Sequence, residues 1–322
     1  MRTWFSDSTQ LPACSVETSG PLVTVGTYRL CEDNTRQGRI LLYSLTTEEE
    51  DGLHCRQLDS QDCAGVLDLK WSSQSRPRLA VAESDGCVSL YSLTEERTGL
   101  VRTSHLSLTS GLCLALEWSA DSSLLAVTDS EGSLSILSVG QTADLTLLTK
   151  ISSAHSFEAW TTCFSKHNFN LVYSGGDDCV LKFHDTREGQ PVRSNRRSHS
   201  MGVTSMLCDS QDENRLWTGS YDEQVRVWDV RNCRQELDSL AVGGGVWRIK
   251  QSARSPDQLL LATMHDGFKV VRDLSVVAEY REHDSLAYGA DWVSGLVWRG
   301  KSLDVAATCS FYDHLFRVWS LD

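Results

Sequence analysis

LWTGSYDEQVRVWD, residues 216–229, reads as two short strands about a tight turn. Leu216–Ser220 alternates large and small residues, Tyr221–Glu223 supplies turn chemistry, and Gln224–Asp229 alternates polar and apolar up to a Trp-Asp pair. Working outward, the same order of strand, acid-bearing turn and strand recurs at Leu79–Tyr91, Leu124–Leu137, Leu171–His184, Leu259–Arg272 and Val305–Trp319. The turn acids are Asp85, Glu131, Asp178, Asp222, Asp266 and Asp313, and each stands six residues before Tyr91, Leu137, His184, Trp228, Arg272 or Trp319. A recurrence of roughly 44–48 residues is the period of a four-stranded propeller blade whose third strand ends in Trp-Asp.

A further unit, Leu22–Tyr28 with Ile40–Leu45, carries an insertion from Leu30 to Gln37. The last unit stops on its third strand, so the extended stretch Trp4–Leu11 is expected to add the fourth. The expectation is therefore an all-β fold: a single seven-bladed WD40 β-propeller over residues 1–322, closed by its N-terminal strand. Opening strands such as Val66–Trp71 and Cys113–Trp118 alternate as inner strands should. His155, His199 and His283 each precede one, with Phe164, Cys208 and Trp292 nine residues on. In WD-repeat proteins such a histidine bonds the turn aspartate and supports the third-strand tryptophan. His199, Asp222 and Trp228 are expected to do so, and all three histidines are assigned to structure.

Composition narrows the function classes. Hydrophobic residues make up 40% and charged residues 23%, a globular mix. Apolar runs such as Leu259–Met264 fall far short of the roughly 20 residues of a bilayer span. The start, MRTWFSDS, has no apolar stretch for a signal peptide, so a cytoplasmic location is expected. Eleven cysteines show neither C-x-x-C nor a zinc spacing and read as thiols in a reducing compartment. A net charge of −13 argues against nucleic acid as partner. Arg193, Arg196 and Arg197 form the dense basic cluster and read as a solvated loop. A monomer without cofactor, metal or membrane contact is expected.

Residues beyond the repeat pattern gather where the first-strand approaches and the second turns share a face, on blades four to seven. There stand His155–Trp160, Tyr173–Asp178, Gly219–Glu223, Gly243–Arg248, Met264–Phe268, His283–Trp292 and Cys309–His314. No G-x-S-x-G elbow, H-E-x-x-H, P-loop or G-x-G-x-x-G is present. From the residues alone this is a binding module with a polar, aromatic rim.

The strings FEAW (157–160), YSGGDD (173–178), GSYDE (219–223), GGVWRIK (244–250), DSLAYGADW (284–292) and CSFYDH (309–314) resemble those of the diphthine methylesterases. The resemblance runs along the whole chain in order, densest over 154–322. It implies a hydrolase of the diphthamide biosynthesis pathway, acting on elongation factor 2. The modified histidine of that substrate bears a methyl ester and a trimethylammonium group, and ester hydrolysis precedes amidation. The alternative is a non-enzymatic WD40 scaffold or adaptor that binds a protein partner through its rim.

The resemblance assigns no catalytic residue, so the site is read from chemistry. Ester hydrolysis needs an attacking water or side chain, a base and donors for the oxyanion. His265 is the first choice of base, with Asp177 and Glu158 to orient it or act themselves. Arg248 and Tyr312 are candidate donors, although Arg248 is also placed to pair with a carboxylate. Ser310 and Cys309 are weighed as nucleophiles against burial at a strand end, and a metal on His265, Asp177 and Glu158 has no supporting spacing. A quaternary ammonium is held by ring faces and carboxylates. Trp160, Tyr221, Trp247, Tyr288 and Tyr312 supply rings, and Asp291 joins Glu158 and Asp177 as negative charge.

Overall fold

The computed structural model describes residues 1–188 and 190–321; Gly189 and Asp322, the last residue of the expected unit, lie outside them. Seven four-stranded antiparallel sheets form the blades of a propeller. Their inner strands are Ala13–Ser19, Val66–Trp71, Cys113–Trp118, Thr161–Phe164, Val203–Cys208, Arg248–Gln251 and Ala287–Val293, on blades one to seven. Six blades run outward in chain order, and the seventh runs Ala287–Val293, Val305–Ser310, Leu315–Ser320, Arg2–Ser8. The N-terminal strand therefore completes the last sheet, in register Arg2↔Ser320 to Ser8↔Leu315. It begins two residues ahead of the expected Trp4 and stops at Ser8. Thr9 ends the pairing by giving its N–H to the His314 carbonyl (2.9 Å) and its hydroxyl to the Leu11 carbonyl (2.6 Å).

Two details depart from the sequence reading. The insertion expected from Leu30 to Gln37 is the tip of one long hairpin: Leu22–Leu30 and Arg36–Glu48 stay paired up to Leu30↔Arg36, and residues 31–35 form the turn. In blade six, Leu261 pairs with Lys269, as Ser174 pairs with Lys182 and Thr218 with Arg226. That register puts His265, not Asp266, at the place of Asp178 and Asp222, and Val271, not Arg272, at the place of Trp228.

Packing explains why the ring must close. Buried apolar side chains fall into seven clusters, one for each seam between neighbouring blades. Burying one Leu, Val or Phe side chain contributes about 1.5–3 kcal/mol, so an uncovered blade face forfeits most of its stability. The seam between blades seven and one holds Tyr43, Phe316 and Val318, and Trp4 and Phe5 of the closing strand pack onto it. Trp4 donates its indole N–H to Ser320 Oγ (2.9 Å), meets Trp298 edge-on at 5.4 Å, and carries the Arg2 guanidinium 3.6 Å above its ring.

Chains of hydrogen bonds run inside the blades. His155 donates from Nδ1 to Asp178 (2.8 Å) and shares Ser174 Oγ with His184 (2.8 and 2.7 Å). His283 bonds Ser310 Oγ (2.5 Å), which reaches Asp313 (2.5 Å), and also Thr308, which takes the Trp319 N–H (3.1 Å). The expected His199–Asp222 bond is replaced by a relay. Arg226 bonds Asp222 (2.9 Å) and donates to His199 Nδ1 (3.1 Å). His199 bonds Thr218 through Nε2 (3.2 Å), and Thr218 accepts the Trp228 N–H (2.8 Å). A guanidinium can only donate, so His199 is the Nε2–H tautomer.

Deleting Met1–Leu11 uncovers the Leu315–Ser320 edge and the seam beneath it, so the truncated chain should aggregate or show a large loss of stability; an unchanged melting curve of a soluble truncation contradicts closure by this strand.

Burial pushes the His199 imidazole down to about 4, aided by Arg226. An unfolded histidine titrates near 6.5, so folding excludes the proton; this share of stability is whole above about pH 6.5 and is lost as pH falls toward 4. The stability difference between the native chain and His199→Gln should therefore shrink by about 2 kcal/mol from pH 7 to pH 5. Urea unfolding at both pH values measures it, and a pH-independent difference contradicts the buried neutral ring.

Candidate functional site

The inner strands of blades one, two, three, five and seven each carry a bulge just after their first residue. A bulge re-aims the extra side chain, and in blade seven the bulged residue is Tyr288. In blade six Trp247 stands immediately ahead of the inner strand Arg248–Gln251. These positions meet at one mouth of the channel. Trp247 stacks on Tyr288 (4.9 Å, 22°) and lies 5.7 Å from Trp160 and 5.9 Å from Tyr221. Trp160 and Tyr221 meet at 6.4 Å. The wall continues through Phe311, 5.4 Å from Tyr288 and 5.1 Å from Tyr28 of blade one.

The carboxylates expected with these rings divide. Asp177 accepts the Trp160 indole N–H (3.2 Å), and its backbone N–H bonds the Glu158 carbonyl (2.8 Å). Both acids bear on the Tyr221 phenol. Glycine makes this approach possible: a Cβ on Gly202 would lie 2.6 Å from Asp177 Oδ1, and one on Gly245 2.9 Å from Met264 Sδ and 3.3 Å from Tyr221. Asp291, by contrast, is only 9% exposed and sits within the channel. It accepts from the Thr18 N–H (2.8 Å) and hydroxyl (3.1 Å) and pairs with Lys250 (3.6 Å), so it brings no charge to the rings.

Arg248 belongs to the same channel network. Its guanidinium donates to Asp68 (3.1 Å), which also holds Lys70 (3.1 Å); Lys70 lies 3.6 Å from Glu17, and Glu17 contacts Lys250. Blades six and two are not neighbours, so the Arg248–Asp68 pair crosses the axis. Burial opposes charge here, yet Arg248 and Lys70 hold the Asp68 carboxyl below its ordinary range, and Asp291 and Glu17 hold Lys250 in its ammonium form. Arg248 is thus committed to Asp68 and keeps its positive charge 6.0 Å from the Trp247 ring. Beneath lies a cavity of about 400 Å³, which Glu117, Phe164, Met206 and Cys208 help to line.

His265 is exposed in a surface cleft of about 720 Å³ with Arg281, Asp284, Ser285, Tyr312 and Asp313. Tyr312 is 72% exposed and touches Phe311 edge-on at 5.0 Å, which joins this cleft to the aromatic wall. Asp177 and Glu158 stand apart on blade four. Among the described residues, the groups with converging metal-ligand atoms are Asp85, Cys87, His105 and Glu48, Asp51, His54, not the three rim residues weighed for a metal. Ser310 and Cys309 are fully buried; Ser310 Oγ is bound between His283 and Asp313, and burial pushes the Cys309 thiol well up. Neither is presented to a substrate.

Tyr28 and Phe311 were not selected from the sequence. Phe311 lies inside CSFYDH beside Tyr312, and Tyr28 lies near the end of the blade-one strand Leu22–Leu30. Burial pushes the Tyr288 phenol up to about 12 and raises Tyr28 and Tyr221 further. All three are O–H donors near neutrality. The mouth thus combines half-buried ring faces, two carboxylates at one end, phenol donors and an imidazole cleft, a set suited to holding a cation beside a polarised carbonyl.

Comparison with known proteins agrees with the fold. The family described as "WD domain, G-beta repeat" matches residues 189–229. A chain of "Crystal Structure of Mitotic Checkpoint Complex" superposes with a TM-score of 0.75 at 16% identity, covering 99% of this chain and 91% of that one. Among curated proteins, mouse "Diphthine methyltransferase" is 37% identical over 316 residues, 87% of this chain and 66% of the mouse protein. The human protein of that name is 36% identical, covering 88% and 67%. That of Schizosaccharomyces pombe is 34% identical, covering 92% and 90%. The chain therefore spans about two thirds of the mammalian relatives and nearly all of the fission-yeast one.

Proposed function

This chain belongs to the diphthine methyltransferase family, and we propose that it removes the methyl ester from methylated diphthine on elongation factor 2, as a carboxylic ester hydrolase of diphthamide biosynthesis. The observation that carries the reading is the wall of Trp160, Tyr221, Trp247 and Tyr288 with Asp177 at its end. A trimethylammonium group cannot lose its charge or donate a hydrogen bond, and ring faces with a nearby carboxylate are what attract it, by about 0.5–2 kcal/mol per ring.

In the proposed reaction a water attacks the ester carbonyl while a base takes its proton. The tetrahedral oxyanion is met by phenol donors, and collapse expels methanol, which leaves with the proton. His265 is the proposed base, with Tyr312 beside it in the cleft. Tyr288 and Tyr28 join Tyr312 as oxyanion donors, and Arg248 contributes through its fixed positive charge beneath Trp247. Asp177 and Glu158 supply negative charge to the cation. Hydrolysis at a protein side chain suits a monomeric propeller working in the cytoplasm, with the elongation factor laid over the aromatic mouth. The adaptor reading is less favoured, because the relatives that match most of the chain at 34–37% identity bear an enzyme's name.

Purified protein incubated with fully methylated elongation factor 2 should remove one methyl-ester increment from its mass, and no change in mass supports the adaptor instead. His265→Ala should slow turnover by about 10² or more while leaving the fold intact. Full activity of the folded variant passes the role of base to Asp177 or Glu158. Trp247→Leu keeps bulk but removes the π face, so it should weaken binding of trimethylated substrate more than that of an uncharged ester analogue; equal losses would leave shape alone as the basis of recognition.

A further inference from the structure

Blades two and three solve one electrostatic problem in different ways. In blade three, buried Asp129 receives the N–H groups of Ser133 (2.7 Å) and Glu131 (3.0 Å), and Lys150 from the outer strand lies 3.6 Å away. Strand register maps each position onto blade two. Thr128↔Leu134 corresponds to Ala82↔Val88, and Ser135↔Lys150 to Ser89↔His105. Glu83 therefore stands where Asp129 does, Cys87 where Ser133 does, and His105 where Lys150 does. No lysine stands at this position in blade two, Arg102 of the outer strand being the cation that acts on Glu83, and a thiol and an imidazole stand in place of a hydroxyl and an ammonium.

The buried acid shows the consequence. Glu83 is 1% exposed, and its Oε1 has no hydrogen-bond partner. Its other oxygen lies 3.8 Å from His105 Nδ1, which also bonds Ser89 Oγ (2.9 Å). Ligand atoms of Asp85, Cys87 and His105 lie within 4.8 Å of one another. Gly86, at φ 80°, gives the turn that folds Asp85 back toward Cys87, whose N–H bonds Asp85 Oδ1 (3.1 Å).

We propose that Asp85, Cys87 and His105 form a Zn²⁺ site on blade two, with the Glu83 carboxylate behind the neutral His105 ring as the group that orients it. Thiolate, imidazole and carboxylate together select Zn²⁺ over the oxygen-loving Mg²⁺ and Ca²⁺. Three protein ligands leave a fourth tetrahedral position for water, and Asp85 and His105 are exposed enough to admit the ion. On binding, the Cys87 thiol releases its proton to solvent and its sulfur becomes the ligand. The ion supplies the positive charge that Lys150 supplies in blade three. Sequence spacing did not reveal the set, because its members are a turn acid, the cysteine two residues on, and a histidine one strand away.

Co²⁺ is the probe, since its visible spectrum reports tetrahedral thiolate ligation. The native chain should take up one equivalent with a thiolate-to-cobalt charge-transfer band, and Zn²⁺ should abolish the band by displacement. Cys87→Ser should lose the band. His105→Ala, a change at an exposed side chain that leaves the core intact, should bind at least tenfold more weakly. Cys31→Ser, in blade one, should match the native chain. Absence of a stoichiometric band in the native chain overturns the proposal. So does an undiminished band in either folded Cys87→Ser or His105→Ala.

Discussion

A propeller blade is a sheet with two apolar faces, and it is stable only while both are covered. Seven seams, each with its own cluster of buried side chains, meet that requirement when the ring is complete. The seam between blades seven and one decides the whole, because its cover comes from the far end of the chain. Trp4 and Phe5 reach it only if Arg2–Ser8 pairs with Leu315–Ser320. The same closure brings Tyr28 of blade one against Phe311 of blade seven, so the aromatic mouth exists only in the closed ring.

Polar groups within the blades sort into two kinds. Asp178, Asp222 and Asp313 are held in relays with histidines, hydroxyls and an arginine that end on Trp228, Trp319 or the substituting His184. Buried and bonded to one another, they fix strand ends. Asp177, Glu158 and His265 stand outside these relays, on turns over a rigid ring. Chemistry at the mouth thus falls to side chains that the repeat does not require, which is how a common scaffold acquires a particular site.

The repeat was legible because a blade imposes period, turn acid and alternation on every copy. Blade six shows the limit: its hairpin register shifts the pattern by one residue, so His265 takes the turn-acid position that sequence counting gave to Asp266. That Trp160, Tyr221, Trp247 and Tyr288 gather at one mouth was also legible, since first-strand approaches and second turns share one face of a propeller. Charged positions were less so. Asp291 and Arg248 alternate along inner strands, and nothing local says whether such a residue faces the mouth or an oppositely charged residue across the axis. Ion pairs such as Arg248–Asp68, 180 residues apart, are invisible to spacing.

Closure by the first strand also sets a timetable. Ser8 and Leu315 are about 300 residues apart, which at roughly 5–20 residues per second of synthesis is on the order of 15–60 s. Throughout that interval Trp4 and Phe5 have no partner, and blade one shows a bare flank while blades two to six assemble beside it. Of the propeller's strands, the earliest made is the last to be seated. A nascent chain of this design invites a chaperone on the waiting strand, and the propeller can close only once Leu315–Ser320 has left the ribosome.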